Sequence, residues 1–356
     1  MKFYQNEEMK KIFLTLDYEL YGDGSGDVFK DIIGPTESIF AACNKSKVKM
    51  TVFFEVVEYW ALKKEWKKGN TMGYTQNPVE AMENQIRAAY QQGHDVQLHI
   101  HPQWVNAVYE NGKWLVDFNA WRLGGYNGED ENSIYQLLKK GKETLESIIN
   151  NPSYKCTALR AGGYNIQPSQ EILNVMREVG LTIDSSVYPG GKETGSLSQY
   201  DYSEITNDKG YWYVEKDVTI DEKRKTALIE LPIVAFPMRR FFKFLTIERI
   251  KSIFKNRQSA KDSFEAKISK GKKLAKVKYF FQYESQTWDY CLFSNRMHRL
   301  YIKRCNKLHL QKERDCFVVI GHPKSLVTTK PLEFLLHLAK QNDYYFQIIK
   351  KVNLLK

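Results

Sequence analysis

Two pairs of chemically capable side chains stand two residues apart in this chain: Asp17 with Glu19, and His99 with His101. In an extended strand residues i and i+2 share a face, so each pair converges on one point. Neutral imidazoles joined by a carboxylate make a zinc-type or iron-type site that leaves positions open for water and substrate. Two close carboxylates divide roles or share a proton, and a metal can take one while the other serves as a base. Taken alone, each pair is equally well read as polar residues at an exposed strand end. Arg160-Ala161-Gly162-Gly163-Tyr164 adds a cation able to clamp a carboxylate and glycines that let backbone N–H groups come close to a substrate. His322, in Val-Ile-Gly-His-Pro, titrates near neutrality and can protonate a leaving group. By themselves these two segments read as ordinary turns. Pro102 and Trp104 can shape a rim beyond His101, and Asp184 ends a further apolar run.

The elements that must hold these residues recur in a regular order. Segments 11–17 (KIFLTLD), 47–54 (KVKMTVFF), 95–101 (DVQLHIH), 155–160 (KCTALR), 181–186 (LTIDSS), 226–231 (TALIEL), 315–321 (DCFVVIG) and 344–350 read as strands. Between them, Asn77-Pro78-Val79-Glu80 gives an N-cap, an N1 proline and a capping acid; Val79, Met82, Ile86 and Ala89 follow at helical spacing, and Gly93 closes the helix. Helices are also expected over 133–149, from Pro168 to Gly180 and over 331–340. Strand–helix alternation predicts a parallel sheet, open or closed into a barrel. In a barrel the functional groups sit at the C-terminal strand ends, and there Asp17, Glu19, His99, His101, Arg160, Asp184 and His322 fall.

Composition bounds what such a fold can be. With 356 residues, 42% apolar and 27% charged, the chain can bury a substantial core. No apolar run approaches the ~18 residues of a membrane span, and the acid-bearing N-terminus predicts no cleaved signal. Cys43, Cys156, Cys291, Cys305 and Cys316 form no CxxC spacing, so neither a disulfide scaffold nor a thiolate metal site is expected, and a reducing cytoplasm is. The net charge of +11 is local: segment 238–281 holds fourteen Lys and Arg against three acids, and the rest is near neutral. A nucleic-acid binder would spread its charge over a face, so no nucleic-acid partner is expected. Residues 1–235 and 313–356 are therefore read as one α/β barrel and 236–312 as a basic, aromatic-rich insertion. Phe241, Phe242, Phe244, Leu245, Ile247, Ile250, Ile253 and Phe254 interleave with cations, which suits an amphipathic helix on an anionic membrane surface and equally a lid over the barrel.

The order of these motifs resembles the polysaccharide deacetylase family, the NodB-homology domain of carbohydrate esterase family four. The residues that carry it are Asp17-x-Glu19, TVFF at 51–54, Gly93-His94-Asp95-Val96 leading to His99 and His101-Pro102, Arg160 to Tyr164, and Gly321-His322, over about residues 10–235 and 313–350. The resemblance implies a distorted (β/α) barrel, one divalent metal with zinc as the expected ion, and hydrolysis of an N-acetyl or O-acetyl group on a sugar. It implies Glu19, His99 and His101 as metal ligands and Asp17 as base, oriented by Arg160. A backbone N–H near Tyr164 stands beside the oxyanion, and His322 is the general acid. Tyr164, Trp104 and Asp184 are the expected substrate contacts. Two motifs depart from the pattern: HxH replaces HxxxH, and a glycine replaces the proline of RxPY. By analogy the activity would serve surface-polysaccharide or lipid-linked glycan biosynthesis, in the cytoplasm or peripherally on the inner membrane face.

Other readings remain open at this stage. A metal-independent glycosidase also uses paired acids in an α/β barrel, though HxH argues against it. A metal-dependent amidohydrolase normally carries HxH on its first strand, and here HxH follows an acidic one. The altered motifs also fit a catalytically inactive sugar-binding or membrane-associated scaffold.

Overall fold

The computed structural model describes residues 9–239, 282–311 and 314–354. Its main sheet has nine strands: β1 (Lys10–Tyr18), β2 (Thr51–Glu55), β3 (Asp95–Ile100), β4 (Ala158–Ala161), β5 (Ile183–Asp184), β6 (Trp212–Val214), β7 (Leu228–Glu230), β8 (Cys316–Val319) and β9 (Tyr344–Gln347). They lie in the order β6-β7-β5-β4-β3-β2-β1-β8, and only β6 runs antiparallel to its neighbour. One edge of β1 is divided, with Lys10–Phe13 against β9 and Thr15–Tyr18 against β2. Beyond β7, Ile233 makes a parallel bridge to Val318, which brings the sheet round on itself. Of the open and closed sheets that strand–helix alternation allows this is the closed one, the distorted (β/α) barrel that the motif resemblance implies.

The strands are apolar along their length because both faces are covered. Phe13, Leu14 and Leu16 of β1, Val52 and Phe53 of β2 and Leu98 and Ile100 of β3 are all fully buried. Among the described residues seven α-helices connect and cover them: α1 (Gly34–Lys45), α2 (Val56–Lys67), α3 (Pro78–Gln91), α4 (Ile134–Ile149), α5 (Gln170–Val179), α6 (Asn295–Leu310) and α7 (Lys330–Gln341). The start of α3 is as the sequence predicts: Asn77 Oδ1 accepts from Val79 N at 3.1 Å, Pro78 is the first residue, and Val79, Met82, Ile86 and Ala89 are its buried face. Gly141 lets α4 approach β3, since a Cβ there would stand 2.8 Å from a Leu98 methyl.

Several strands start later than expected, and two of these starts have a local reason. Lys47 adopts a left-handed backbone (φ 54°), which no strand accommodates, so β2 begins at Thr51. The N–H groups of Thr157 and Ala158 both donate to the Gln97 side-chain oxygen, at 2.8 and 2.7 Å, and β4 starts only at Ala158.

The segment 236–312, expected to stand apart, divides in two. Ala235–Arg239 pairs antiparallel with Tyr283–Thr287, and the returning chain rejoins the barrel. Ile320 N donates to Trp288 O at 3.0 Å, Tyr290 N donates to Ile320 O at 2.9 Å, and α6 packs on α7. Residues 240–281 lie outside the described residues, and with them both the membrane-helix and the lid expectations. Among the described residues no helix is long and apolar enough to cross a membrane.

Candidate metal centre and catalytic site

Strand register sets the first row of the site. Glu55 at the end of β2 pairs with His99 of β3, and His99 pairs with Arg160 of β4, so three polar side chains stand side by side at one level. Asp17 is the penultimate residue of β1, and Glu19 and His101 follow just past their strand ends.

His99 Nδ1 lies 2.8 Å from the Arg160 carbonyl oxygen, which only accepts, so Nδ1 bears a proton and Nε2 is the nitrogen turned towards the cluster. That Nε2 is buried without a hydrogen-bond partner and sits 3.3 Å from Glu19 Oε2. His101 Nδ1 is 3.1 Å from the same Glu19 oxygen and 2.8 Å from Glu55 Oε2. The opposite edge of the His101 ring rests on Gly162, where any Cβ would overlap it. The second glycine-for-proline departure thus belongs with the first: Gly162 makes room for the HxH histidine. One donor atom from each of Glu19, Glu55, His99 and His101 lies within 4.8 Å of the others.

Burial would raise the Glu19 carboxyl pKa, but Lys324, His101 and His99 hold it well below the usual carboxylate range. Lys324 Nζ reaches Glu19 Oε1 at 2.8 Å and the Leu20 carbonyl at 2.6 Å, leaving Oε2 for the cluster. Burial pushes His99 down, yet the Glu19 carboxylate and its neighbours bring it up to about 9. A potential that draws a proton onto Nε2 draws a cation equally, so this donor set fits a divalent metal.

Asp17 and His322 flank the cluster. Arg160, fully buried, donates from Nη1 to Asp17 Oδ1 at 2.5 Å and to Thr15 Oγ1 at 2.9 Å. Its Nε and Nη2 are spent on Ser185, and its plane lies 4.0 Å from the Phe53 ring. Burial would raise the Asp17 pKa, but Arg160 first, then His99 and His322, bring it below the usual value. Asp17 Oδ2 is left facing His322 Nε2 at 3.6 Å. On the other side of that ring, His322 Nδ1 donates to Asp289 Oδ2 at 2.8 Å, and this carboxylate overcomes the downward effect of burial to raise the imidazole pKa. Asp289 is itself fixed by the Cys291 N–H on Oδ1.

The structure thus brings together Asp17, Glu19, His99, His101, Arg160 and His322. It adds three residues that the motifs do not name. Glu55 directly follows TVFF and could have been found as one more acid at a strand exit; Lys324 lies two residues after His322; Asp289 has no sequence signal. Tyr164 is at the rim, in a left-handed backbone (φ 65°) with its carbonyl accepting from Tyr202 Oη at 2.6 Å.

Two expected substrate contacts are corrected. Trp104 is only 2% exposed and packs edge-on against Trp114, so it is a core residue. Asp184 is fully buried, with its carboxylate taken up by the Ser186 hydroxyl and N–H. The indole that lies beside the catalytic turns is Trp121, from the long connection between β3 and α4. Its ring covers Gly22, where a Cβ would stand 2.5 Å away, and its Nε1 lies close to Gly163.

A curled parallel α/β barrel with a carboxylate base, a carboxylate-held imidazole and a Glu/His cluster at its strand ends is a constellation for metal-assisted hydrolysis. Solved structures similar to this chain include the putative polysaccharide deacetylase from Mycobacterium smegmatis (12% identity, 98% of this chain and 90% of that one, TM-score 0.49). The probable polysaccharide deacetylase from Pseudomonas aeruginosa PAO1 (12%, 96% and 89%, 0.47) and Puue allantoinase (10%, 96% and 88%, 0.48) are others. No family model and no curated protein matches the sequence.

Proposed function

We propose that this protein is a metal-dependent hydrolase that removes an acetyl group from an N-acetylated or O-acetylated sugar. The observation that carries the reading is the buried convergence of Glu19, Glu55, His99 and His101 donor atoms within 4.8 Å of one another, with a base and an acid on the flank of the same cluster. Glu19, His99 and His101 would hold the metal; zinc is the ion expected for such a set of three donors. When bound, a divalent cation supplies Lewis acidity and acidifies a nearby water.

The chain's own residues do the rest. Arg160 holds Asp17 Oδ1, so Oδ2 is the oxygen that takes a proton from the attacking water. Asp289 takes the Nδ1–H of His322 and raises the ring's pKa, so the imidazolium directs its Nε2–H at the leaving amine or alkoxide. The Gly162–Tyr164 turn, seated on His101, brings backbone N–H groups to the place where charge develops on the acyl oxygen. Trp121 offers a half-buried indole beside this turn on which a sugar ring can stack.

The test is an acetate-release assay on a panel of N- and O-acetylated sugars and glycans. Release from at least one of them, abolished in Asp17→Asn, is expected; none across the panel from folded, metal-loaded protein would reject the reading.

A further inference from the structure

We infer that Glu55 is a fourth protein donor of the metal centre, making it a set of two carboxylates and two imidazoles. The inference rests on the metal-centre reading above and extends it. Two carboxylate oxygens, Glu19 Oε2 at 3.1 Å and Glu55 Oε2 at 2.8 Å, converge on the single nitrogen His101 Nδ1. Both oxygens only accept, and the nitrogen has one proton at most. A further donor atom, His99 Nε2, faces the same Glu19 oxygen at 3.3 Å. One atom from each of the four side chains thus lies within 4.8 Å of the others, a convergence that one cation between them accounts for. Donors bound at about 2.0–2.2 Å from one ion stand roughly 3–3.5 Å apart, close to these separations.

Charge points the same way. Glu55 is fully buried, and a carboxylate there needs a positive partner. Arg160 is committed to Asp17 and Lys324 to Glu19; among the described residues the one ion-pair partner of Glu55 is His101. Glu55 Oε1 is separately occupied, accepting from Val57 N at 2.9 Å as the N-cap of α2. The two oxygens therefore have two jobs, one structural and one facing the cluster. Four protein donors would close a tetrahedral ion, so a catalytic ion here is one that accepts five or six.

Because the jobs lie on different oxygens, they can be separated. Ser at position 55 still caps a helix but cannot reach His101; Gln keeps the length and loses the charge. Purified full-length protein, stripped and titrated with Co2+, is followed by calorimetry and by visible absorption, with thermal melting as the control for folding. Wild type should bind one Co2+ with the weak band of five- or six-coordination, and Glu55→Ser and Glu55→Gln should shift that band and bind more weakly by more than the about 10–100-fold that losing an outer-shell partner costs. Unchanged Co2+ affinity in either folded variant, or an intense tetrahedral band in wild type, would overturn the inference while leaving the metal centre in place. Wild type that binds no Co2+ would overturn the metal centre itself, and this inference with it.

Discussion

The barrel mouth holds two pairs of fully or nearly fully buried acids, one on each side of Arg160, and they behave in opposite ways. Glu19 and Glu55 stand at the β1–β2 side among His99, His101 and Lys324, and Glu19 is held ionised. Asp184 and Glu230 pair in register at the β5–β7 side, with only Ser186, the Val187 N–H and each other. Burial raises both of their pKa values, and Asp184 adds to the rise at Glu230. Arg160 lies between the pairs, but its N–H groups are spent on Asp17, Thr15 and Ser185. Burial alone neutralises a carboxylate; cationic and imidazole neighbours keep it charged and ready for a metal. The chemistry of the barrel therefore lies on the β1–β3 side, and Asp184, which follows the same strand-end rule, is part of the frame.

Substitutions at the two pairs should separate them cleanly. The largest effect is expected from Glu19→Gln or His99→Ala, which should lose both the bound metal and acetate release, as read by metal analysis beside the assay. Full metal content in both would place the ion elsewhere. Asp17→Asn keeps the cluster but removes the base, so activity should fall on the order of 10²–10⁴-fold with metal content unchanged.

A smaller and pH-dependent effect is expected at Asp289. His322 must be protonated to act as an acid, and Asp289 raises its pKa, so kcat/KM stays high up to that raised pKa and falls as pH climbs through it. Asp289→Asn should move this alkaline limb to lower pH and leave the acid limb, set by Asp17, in place. An unmoved alkaline limb would mean that the dyad does not control the acid.

The smallest effect is expected at the framing pair. Glu230→Gln changes a carboxyl outside the donor cluster whose pKa burial raises, so metal content should be unchanged. The folded pKa of Glu230 is raised above its unfolded value, so the native acid loses relative stability as pH rises from about 4.3 towards the folded pKa. The variant should lack that loss, which melting curves at pH 4 and pH 7 would show.

Much of the site was legible because it follows strand periodicity. Asp17/Glu19 and His99/His101 are each two residues apart on or beside a strand, and the register of β2, β3 and β4 then sets Glu55, His99 and Arg160 in one row. The helix from Pro78 was legible from its cap and its 3.6-residue face. What the sequence hid depends on three-dimensional return. Asp289 sits among Gln286, Thr287 and Trp288 with no strand pattern, and reaches His322 only because the chain comes back from the 235–239 ribbon to pair with Ile320. The sequence places Trp104 at the rim and nothing in it marks Trp121; only packing, of Trp104 against Trp114 and of Trp121 over Gly22, tells core from mouth.

The central claim is that a metal in the Glu19, Glu55, His99 and His101 cluster drives the hydrolysis. Its most direct measurement is acetate release from the best acetylated sugar, using one preparation before chelation, after chelation and after return of a divalent ion, with bound metal determined each time. Release that falls with the metal and returns with about one ion per chain is the predicted result. Undiminished release from chelated, metal-free protein would contradict the account and favour a metal-independent use of the paired acids.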